Sequence, residues 1–289
     1  MTIPSKKLKS SFELPVFGIG TWQMGGRYIR NPLNDDARDI QAIKTAIELG
    51  VTHIDTAEIY ATGWAEKLVA KAIKDFDRRK LFIVSKVAGN HASYNGVLRA
   101  CEKSLKRLET QYLDLYLIHW YDRRFNLKNT MRALDELLEK GLIKNIGVSN
   151  FTKERLAEAQ NYTKNKIVCD QVHYNLMIRE PERKSLLEYC QQNDVLLVAY
   201  RPVQKGLLLK NVPEIMEEMC KKYQKTPAQI AINWLIAQDN VVTIAKSSQL
   251  EHLKENLSAI GWQMEKPDIE KLRQEFPNQK DVSDVVSLE

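Results

Sequence analysis

Four side chains of different types occur in an order that suits proton transfer. Asp55 lies at the end of an apolar run, Tyr60 follows it by five residues, and Lys86 and His119 end the next two apolar runs. Reduction of a carbonyl group needs a hydride on carbon and a proton on oxygen, and a positioned tyrosine hydroxyl can donate that proton. The order of these residues therefore predicts a site in which Tyr60 is the proton donor.

The neighbours of Tyr60 are expected to adjust its acidity. An unperturbed tyrosine has a pKa of about 10, which is too high for easy donation at neutral pH. The ammonium of Lys86 is expected to stabilise the phenolate and lower this pKa, while Asp55 keeps the lysine charged and in place. A shift of about three units corresponds to roughly 4 kcal/mol. His119 is expected to donate to the carbonyl oxygen and so orient and polarise it.

The apolar runs that carry these residues are typical of strands covered on both faces, because they are nearly continuous. Amphipathic segments with a period of 3.6 residues separate them. Eight such strands predict a (β/α)8 TIM barrel, an α/β fold, as a single domain over residues 1–289, with its active site at the carboxyl ends of the strands. A doubly wound sheet would carry GxGxxG after its first strand, where this chain has GIGTW at 18–22. The eight runs are 15–20, 52–56, 81–86, 113–119, 143–149, 167–172, 195–200 and 241–246.

Composition argues against several other classes of protein. The net charge is +6, but Lys and Arg are interspersed with Asp and Glu, so a nucleic-acid partner is not expected. No apolar run reaches the roughly 18 residues of a membrane-spanning helix, and the basic start lacks the apolar stretch of a signal peptide. The cysteines have no CxxC spacing and the histidines no metal-ligand spacing. We expect a cytoplasmic protein, a monomer or weak oligomer, with no membrane partner and no metal.

The sequence resembles the aldo-keto reductase family, in its prokaryotic type, from about residue 15 to 260. The family's catalytic tetrad falls on Asp55, Tyr60, Lys86 and His119, and all four identities match. The resemblance implies reduction of small aldehydes or ketones with NADP(H). It rests on the stretches GIGTW, HIDTAEIY, SK at 85–86, LYLIHW, IGVSNF, DQVHYN, AYRP and AKSSQLEHLKEN.

The same resemblance implies which residues bind the cofactor. Ser149, Asn150 and Gln171 would hold the nicotinamide carboxamide, and Tyr200 would stack on the nicotinamide ring. The loop after Tyr200 and the segment 246–256 would wrap the pyrophosphate and the adenosine phosphate. The remaining residues expected at the cofactor are Gly20, Thr21, Arg201, Pro202, Lys205, Gly206, Lys246, Ser247, Ser248, His252, Glu255 and Asn256.

Two departures from the family pattern affect the cofactor prediction. His252 stands where many members have an arginine that packs on the adenine and helps to hold the 2′-phosphate, so use of NAD(H) beside NADP(H) stays open. Residues 201–206 replace a common Ser-Pro-Leu-Gly. There, Arg201 and Lys205 either face the pyrophosphate or are solvated loop residues.

The remaining aromatic residues and histidines bear on the substrate pocket. Trp22 and Trp120 are expected to be its aromatic walls, with ordinary core packing as the alternative. His53 is expected to be a buried barrel residue and His173 a loop residue. The chain beyond residue 262 reads as a short helix and a polar tail, which predicts an open pocket.

Two other functions are compatible with parts of this pattern. One is a nicotinamide-binding regulatory or redox-sensing subunit with slow turnover, against which an intact tetrad argues. The other is a metal-dependent hydrolase barrel, which would need bound zinc.

Overall fold

Eight parallel strands form a closed barrel in the computed structural model, which describes residues 2–210 and 212–288. The last barrel strand pairs with the first, so no edge is left open. The predicted (β/α)8 barrel is confirmed, and the doubly wound alternative is wrong. An N-terminal hairpin of β1 (Ser5–Lys7) and β2 (Glu13–Pro15) precedes the barrel strands β3 (Phe17–Gly20), β4 (His53–Asp55), β5 (Phe82–Val87), β6 (Leu115–Ile118), β7 (Ile146–Ser149), β8 (Ile167–His173), β9 (Leu196–Tyr200) and β10 (Val241–Ala245).

Helices connect the barrel strands, and their ends follow local capping chemistry. The side chain of Ser93 accepts a hydrogen bond from the backbone of Gly96 at the start of the third helix. Thr226 forms a capping box with Gln229, with Pro227 in the first turn. The helices are α1 (Asp36–Glu48), α2 (Trp64–Ile73), α3 (Tyr94–Leu108), α4 (Leu127–Glu139), α5 (Lys153–Asn161), α6 (Glu180–Arg183), α7 (Leu186–Gln192), α8 (Glu214–Tyr223), α9 (Pro227–Ile236), α10 (Leu250–Leu257) and α11 (Lys266–Glu275). No helix among the described residues has the length and apolar character needed to cross a bilayer.

Residues 181–193, one of the amphipathic segments between the predicted strands, form two helices instead of the single helix that their period predicts. Ser185 adopts a φ of 53°, in the left-handed region, and so separates α6 from α7. The hairpin was also not predicted, because its strands are only three residues long in a polar stretch. Its apolar residues Leu8, Phe12 and Leu14 belong to the same buried cluster as the side chains inside the barrel. The hairpin therefore covers the end of the barrel opposite the predicted site.

The C-terminal tail is docked onto the barrel. The carboxylate of Glu180 is buried and accepts backbone hydrogen bonds from Ser283 and Leu288, both at 2.9 Å. Leu288 is itself buried. The sequence predicted only a polar tail, but the tail is held at two points. The part between them, which includes Val285 and Val286, reaches the carboxyl ends of the strands.

His53 and His173 are buried in the protein interior, and His119 is half-buried. Burial lowers the pKa of His53 to about 4, and burial lowers the pKa of His173 to about 4 as well. Burial and the nearby Lys86 ammonium hold the pKa of His119 well below its usual value. All three side chains are therefore neutral in the folded protein at pH 7.

We expect these histidines to make stability fall as the pH falls below about 6.5. The unfolded chain binds a proton at each histidine near pH 6.5. In the folded chain His53 and His173 bind one only at about pH 4, and the pKa of His119 also lies well below its usual value. Each histidine thus removes about 1.4 kcal/mol per pH unit in that window. Urea unfolding at pH 7.5, 6.5 and 5.5 measures the loss.

Comparing variants separates the contribution of the histidines to the pH dependence of stability from that of the carboxyl groups. In His53→Asn the loss of unfolding free energy between pH 6.5 and 5.5 should shrink by about 1 kcal/mol. His252→Asn is the matched control, since His252 is exposed on α10, and it should leave the loss unchanged. An unchanged pH dependence in His53→Asn would contradict the prediction.

Candidate active site

A groove of about 620 Å3 lies at the carboxyl ends of the barrel strands. Most of the residues predicted to do chemistry line it, from β3, β4, β6, β7, β8, β9 and β10. The lining residues are Gly20, Trp22, Gln23, Tyr28, Asp55, Ile59, Tyr60, His119, Trp120, Ser149, Asn150, Gln171, Tyr200, Arg201, Pro202, Val203, Lys205, Ile244, Ala245, Lys246, Asn256, Val285 and Val286.

A buried ion pair lies under the hydroxyl of Tyr60. Lys86 Nζ donates to Asp55 Oδ1 at 2.5 Å, to the main-chain oxygen of Thr56 at 2.8 Å and to Tyr60 OH at 3.3 Å. The lysine and aspartate side chains are 0% and 1% exposed. Asp55 and Lys86 come from the adjacent strands β4 and β5, which pair in parallel. The three residues thus form one contiguous group whose outer end is the phenol.

The backbone after Tyr60 is bent to bring its ring into the groove. Ala61 and Thr62 have φ values of 50° and 57°, which residues with a Cβ adopt at a cost. The loop after β3 offsets this cost, because its main-chain oxygens accept hydrogen bonds from both residues. The phenol ring also makes edge contacts with Trp22 and His119, with centroids 5.0 and 5.6 Å away. Tyr60 is therefore held from two sides.

The acidity of Tyr60 differs from the sequence prediction. Burial raises the pKa of Tyr60 well above its ordinary value, the charge of Asp55 and the Tyr28 hydroxyl add to this, and Arg201 opposes it. The expectation that Lys86 would lower the pKa of Tyr60 is wrong for the protein without a bound ligand. The reason is that burial disfavours the phenolate, and the Asp55 charge partly offsets the stabilisation that Lys86 offers it.

His119 faces the same space as a neutral imidazole. Within the described part of the chain its Nδ1 is buried without a hydrogen-bond partner. This leaves Nε2 as the ring nitrogen that can act on a ligand in the groove. A neutral histidine with its proton on Nε2 can donate a hydrogen bond to an oxygen placed beside Tyr60.

Three predicted amide-binding residues lie together beside this group. Gln171 Nε2 donates to Asp55 Oδ2 at 2.8 Å, which leaves Gln171 Oε1 as an acceptor. Asn150 Nδ2 donates to Ser149 Oγ and to the His119 main-chain oxygen, both at 3.0 Å. The Tyr200 hydroxyl donates to Asn150 Oδ1 at 2.9 Å. Asp55 and the residues expected at the carboxamide thus share one hydrogen-bond network.

The remaining residues expected at the cofactor divide into two groups. Arg201, Lys205 and Lys246 line the groove, together with Pro202 and Asn256. A second group lies outside its lining: Thr21, Gly206, Ser247, Ser248, His252 and Glu255.

Two of the outlying residues have other partners. The Thr21 hydroxyl is buried and donates to the main-chain oxygen of Asp55 at 3.0 Å, so it joins β3 to β4. Ser247 Oγ donates to the Gln249 main-chain oxygen at 2.9 Å. In this structure the hydroxyl of Ser247 therefore stabilises the turn before α10.

The predicted aromatic walls lie beside Tyr60 and His119: the Trp22 ring centroid is 5.0 Å from that of Tyr60, and the Trp120 centroid is 5.3 Å from that of His119. Trp22 and Trp120 both line the groove. Trp120 packs so closely on Gly89 that a Cβ there would overlap the indole. Sequence reasoning missed their neighbours Tyr28 and Ile59, and the tail residues beside them, because nothing local marks a loop or tail residue as part of a pocket.

His173 is the other correction. It was predicted in a loop, but it is the last residue of β8 and is buried behind Tyr200. The continuation of the β-branched run through Val172 was the available signal.

Comparison with known proteins agrees with this geometry. The family model described as "Aldo/keto reductase family" matches residues 16–275. Methylglyoxal reductase YeaE of Escherichia coli (strain K12) is 36% identical over 273 residues, which cover 92% of this chain and 93% of that protein.

Two solved structures have the same fold. A thermostable aldo-keto reductase crystallised with the inhibitor epalrestat is 45% identical, with a TM-score of 0.90 over 94% of this chain and 99% of that one. An aldo-keto reductase from Klebsiella pneumoniae, in complex with NADPH, is 32% identical, with a TM-score of 0.85 over 98% of each chain. The resemblance found in the sequence is confirmed: the chain belongs to the aldo/keto reductase family.

Proposed function

We propose that this protein reduces the carbonyl group of small aldehydes or ketones with NADPH, and that Tyr60 donates the proton. As a member of the aldo/keto reductase family it is an NADP(H)-dependent oxidoreductase. The observation that carries the proposed mechanism is the contact of Lys86 Nζ with both Asp55 and the Tyr60 hydroxyl at the base of the groove.

The residues of the groove fit a nicotinamide cofactor. The free Oε1 of Gln171 can accept from a carboxamide NH2, and the Asn150 amide and Ser149 hydroxyl lie next to it. Tyr200 offers a flat aromatic wall, and Arg201, Lys205 and Lys246 offer positive charge for phosphates. When bound, NADPH supplies the hydride that the reduction requires.

Tyr60 is in the protonation state that reduction needs. Its raised pKa keeps the hydroxyl protonated at neutral pH. The alkoxide that forms from a reduced carbonyl is a stronger base than a phenolate, so transfer from Tyr60 to that oxygen is downhill. As the phenolate develops, the Lys86 ammonium at 3.3 Å stabilises it. Asp55 keeps that ammonium in place.

His119 orients the carbonyl oxygen without competing for the proton. Because its pKa lies well below the usual value, it remains neutral and its Nε2 can donate a hydrogen bond. Its ring stands nearly perpendicular to that of Tyr60, at 73°. A carbonyl oxygen placed between the two rings would receive a hydrogen bond from each.

The substrate end of the groove favours small, neutral carbonyl compounds. Trp22, Trp120, Tyr28 and Ile59 supply mostly aromatic and apolar surface. The tail adds valine side chains on a further side, so the pocket is more bounded than the shortness of the chain suggested. The E. coli relative named a methylglyoxal reductase supports a 2-oxoaldehyde as the substrate class.

Replacing Tyr60 by phenylalanine tests the proton donor. Tyr60→Phe should lower kcat with methylglyoxal by at least about 100-fold, because the donor is lost while the groove keeps its shape. Its affinity for NADPH, measured by quenching of tryptophan fluorescence, should stay within about twofold of wild type, since the hydroxyl contacts Lys86 and not the expected carboxamide site.

Tyr94→Phe is the matched control, since that tyrosine lies on α3 and contacts Glu136. Full activity in Tyr60→Phe would show that the donor is another group. Tight NADPH binding by a wild-type protein without turnover would favour a regulatory subunit instead.

Replacing His252 tests the cofactor preference. His252 is exposed on α10, one turn before the groove residue Asn256. His252→Arg should tighten NADPH binding about tenfold and leave NADH binding unchanged, because an arginine can pair with a 2′-phosphate that only NADPH carries.

Ser258→Arg, at the end of the same helix, adds the same charge as a control. Equal gains for NADPH and NADH in His252→Arg would contradict a role at the 2′-phosphate. A wild-type affinity for NADH at least equal to that for NADPH would overturn the cofactor preference itself.

A further inference from the structure

The ring of Tyr200 is supported on the side away from the groove by a histidine. The His173 and Tyr200 rings are stacked, with centroids 5.3 Å apart and an interplanar angle of 15°. Tyr200 lines the groove, whereas His173 is 2% exposed and lies behind it. We propose that His173 is a positioning residue for hydride transfer: it fixes the plane of Tyr200, and Ser283 of the C-terminal tail holds it in place. This inference rests on the proposed function, in which Tyr200 supports the nicotinamide.

The hydrogen bond of Tyr200 cannot set the plane of its own ring. Its hydroxyl donates to Asn150 Oδ1 at 2.9 Å, which fixes the far end of the side chain. The hydroxyl oxygen, however, lies on the axis about which the ring rotates, and this terminal torsion is soft. Rotation of the ring therefore leaves the Asn150 contact intact. A flat partner on one face is what restricts the rotation, and His173 provides it.

His173 is itself held through both ring nitrogens. Nε2 lies 2.7 Å from Gln204 Oε1, and the same oxygen accepts from Asn175 Nδ2 at 2.9 Å. Because that oxygen is an acceptor, the His173 proton belongs on Nε2, and Nδ1 accepts from the Ser283 hydroxyl at 2.8 Å. The imidazole is thus held between the loop after β9 and the tail, where the Asp284 carboxylate also lies 3.5 Å from Nδ1. Asn175 Nδ2 lies 3.3 Å from Nε2.

The tail is anchored well enough to serve as a support. The buried carboxylate of Glu180 accepts the backbone N–H of Ser283 and of Leu288, each at 2.9 Å. Next to Ser283, the Asp284 carboxylate lies 3.6 Å from Arg201 and 3.4 Å from the Gln204 amide nitrogen. Ser283 is therefore tied both to the α6 region and to the loop expected at the cofactor phosphates.

The consequence is a positioning effect on the reaction. A nicotinamide resting on Tyr200 takes its tilt from that ring, and a displacement of about 1 Å between reacting atoms can cost about 100-fold in rate. Loss of the support should therefore lower kcat more than it raises KM for the aldehyde. It should also weaken the binding of NADPH, which has the nicotinamide, and leave unchanged the binding of adenosine 2′,5′-bisphosphate, which lacks it.

Three variants and one control test the proposal. His173→Leu removes the flat face, His173→Phe restores a flat face without the ring nitrogens, and Ser283→Ala removes only the tail hydrogen bond. Ser287→Ala, four residues along the same tail, is the control. Measurements are kcat and KM for methylglyoxal, the isotope effect with [4-2H]NADPH, binding of NADPH and of adenosine 2′,5′-bisphosphate, and thermal unfolding.

We expect a graded result. His173→Leu should lower kcat about 10- to 100-fold, with KM within about threefold of wild type and a larger isotope effect, because hydride transfer becomes the slow step. His173→Phe should recover most of the rate. Ser283→Ala should lower kcat about threefold, and Ser287→Ala should leave kcat unchanged.

Two outcomes overturn the proposal. One is a folded His173→Leu variant with wild-type kcat and NADPH affinity. The other is a folded His173→Phe variant as poor as His173→Leu, which would remove stacking as the cause. If His173→Leu does not fold, Ser283→Ala decides whether the proposal holds: a wild-type kcat and a wild-type isotope effect in that variant would overturn it. If the wild type binds NADPH without turnover, the proposed function fails, and the comparison of NADPH with adenosine 2′,5′-bisphosphate still decides the positioning role.

Discussion

The rest of the site depends on one buried ion pair, Lys86 with Asp55. Removing two charges from water costs several kcal/mol for each ion unless further hydrogen bonds satisfy them. Here residues of the site supply these hydrogen bonds. Lys86 bonds to the Tyr60 hydroxyl and to a main-chain oxygen, and Asp55 accepts from Gln171. Burial of the pair therefore ties Tyr60, the proposed proton donor, to Gln171, the residue expected at the nicotinamide. Moving either residue would leave a buried charge short of a partner.

Closure of the barrel makes this arrangement possible. Asp55 and Gln171 are 116 residues apart in sequence, yet their side chains meet because β4 and β8 face each other across the barrel. Parallel strands in a closed barrel bring all their carboxyl ends to one side. The hairpin residues Leu8, Phe12 and Leu14 fill the other end. The groove thus lies at a single end of the barrel, and its walls come from the loops after β3, β4, β6 and β9 and from the tail.

Tyr60 shows why the charge of a neighbour does not decide a pKa alone. The lysine next to it suggested an acidic phenol, but the same lysine is paired with Asp55, and burial disfavours the phenolate more than the pair favours it. The outcome still suits reduction, because the hydroxyl stays protonated until a stronger base appears beside it. In the same way, His119 is useful because burial keeps it neutral.

The sequence by itself determined the barrel strands, most of them to within about two residues, and the four residues Asp55, Tyr60, Lys86 and His119. Apolar runs and residue types are local properties, so they can be recognised without knowing the fold. Only the tertiary structure decided the protonation state of Tyr60, the position of His173 behind Tyr200 and the docking of the tail. Each of these depends on burial and on contacts between distant segments, because the free energy of a charge or a stacked ring is set by what surrounds it.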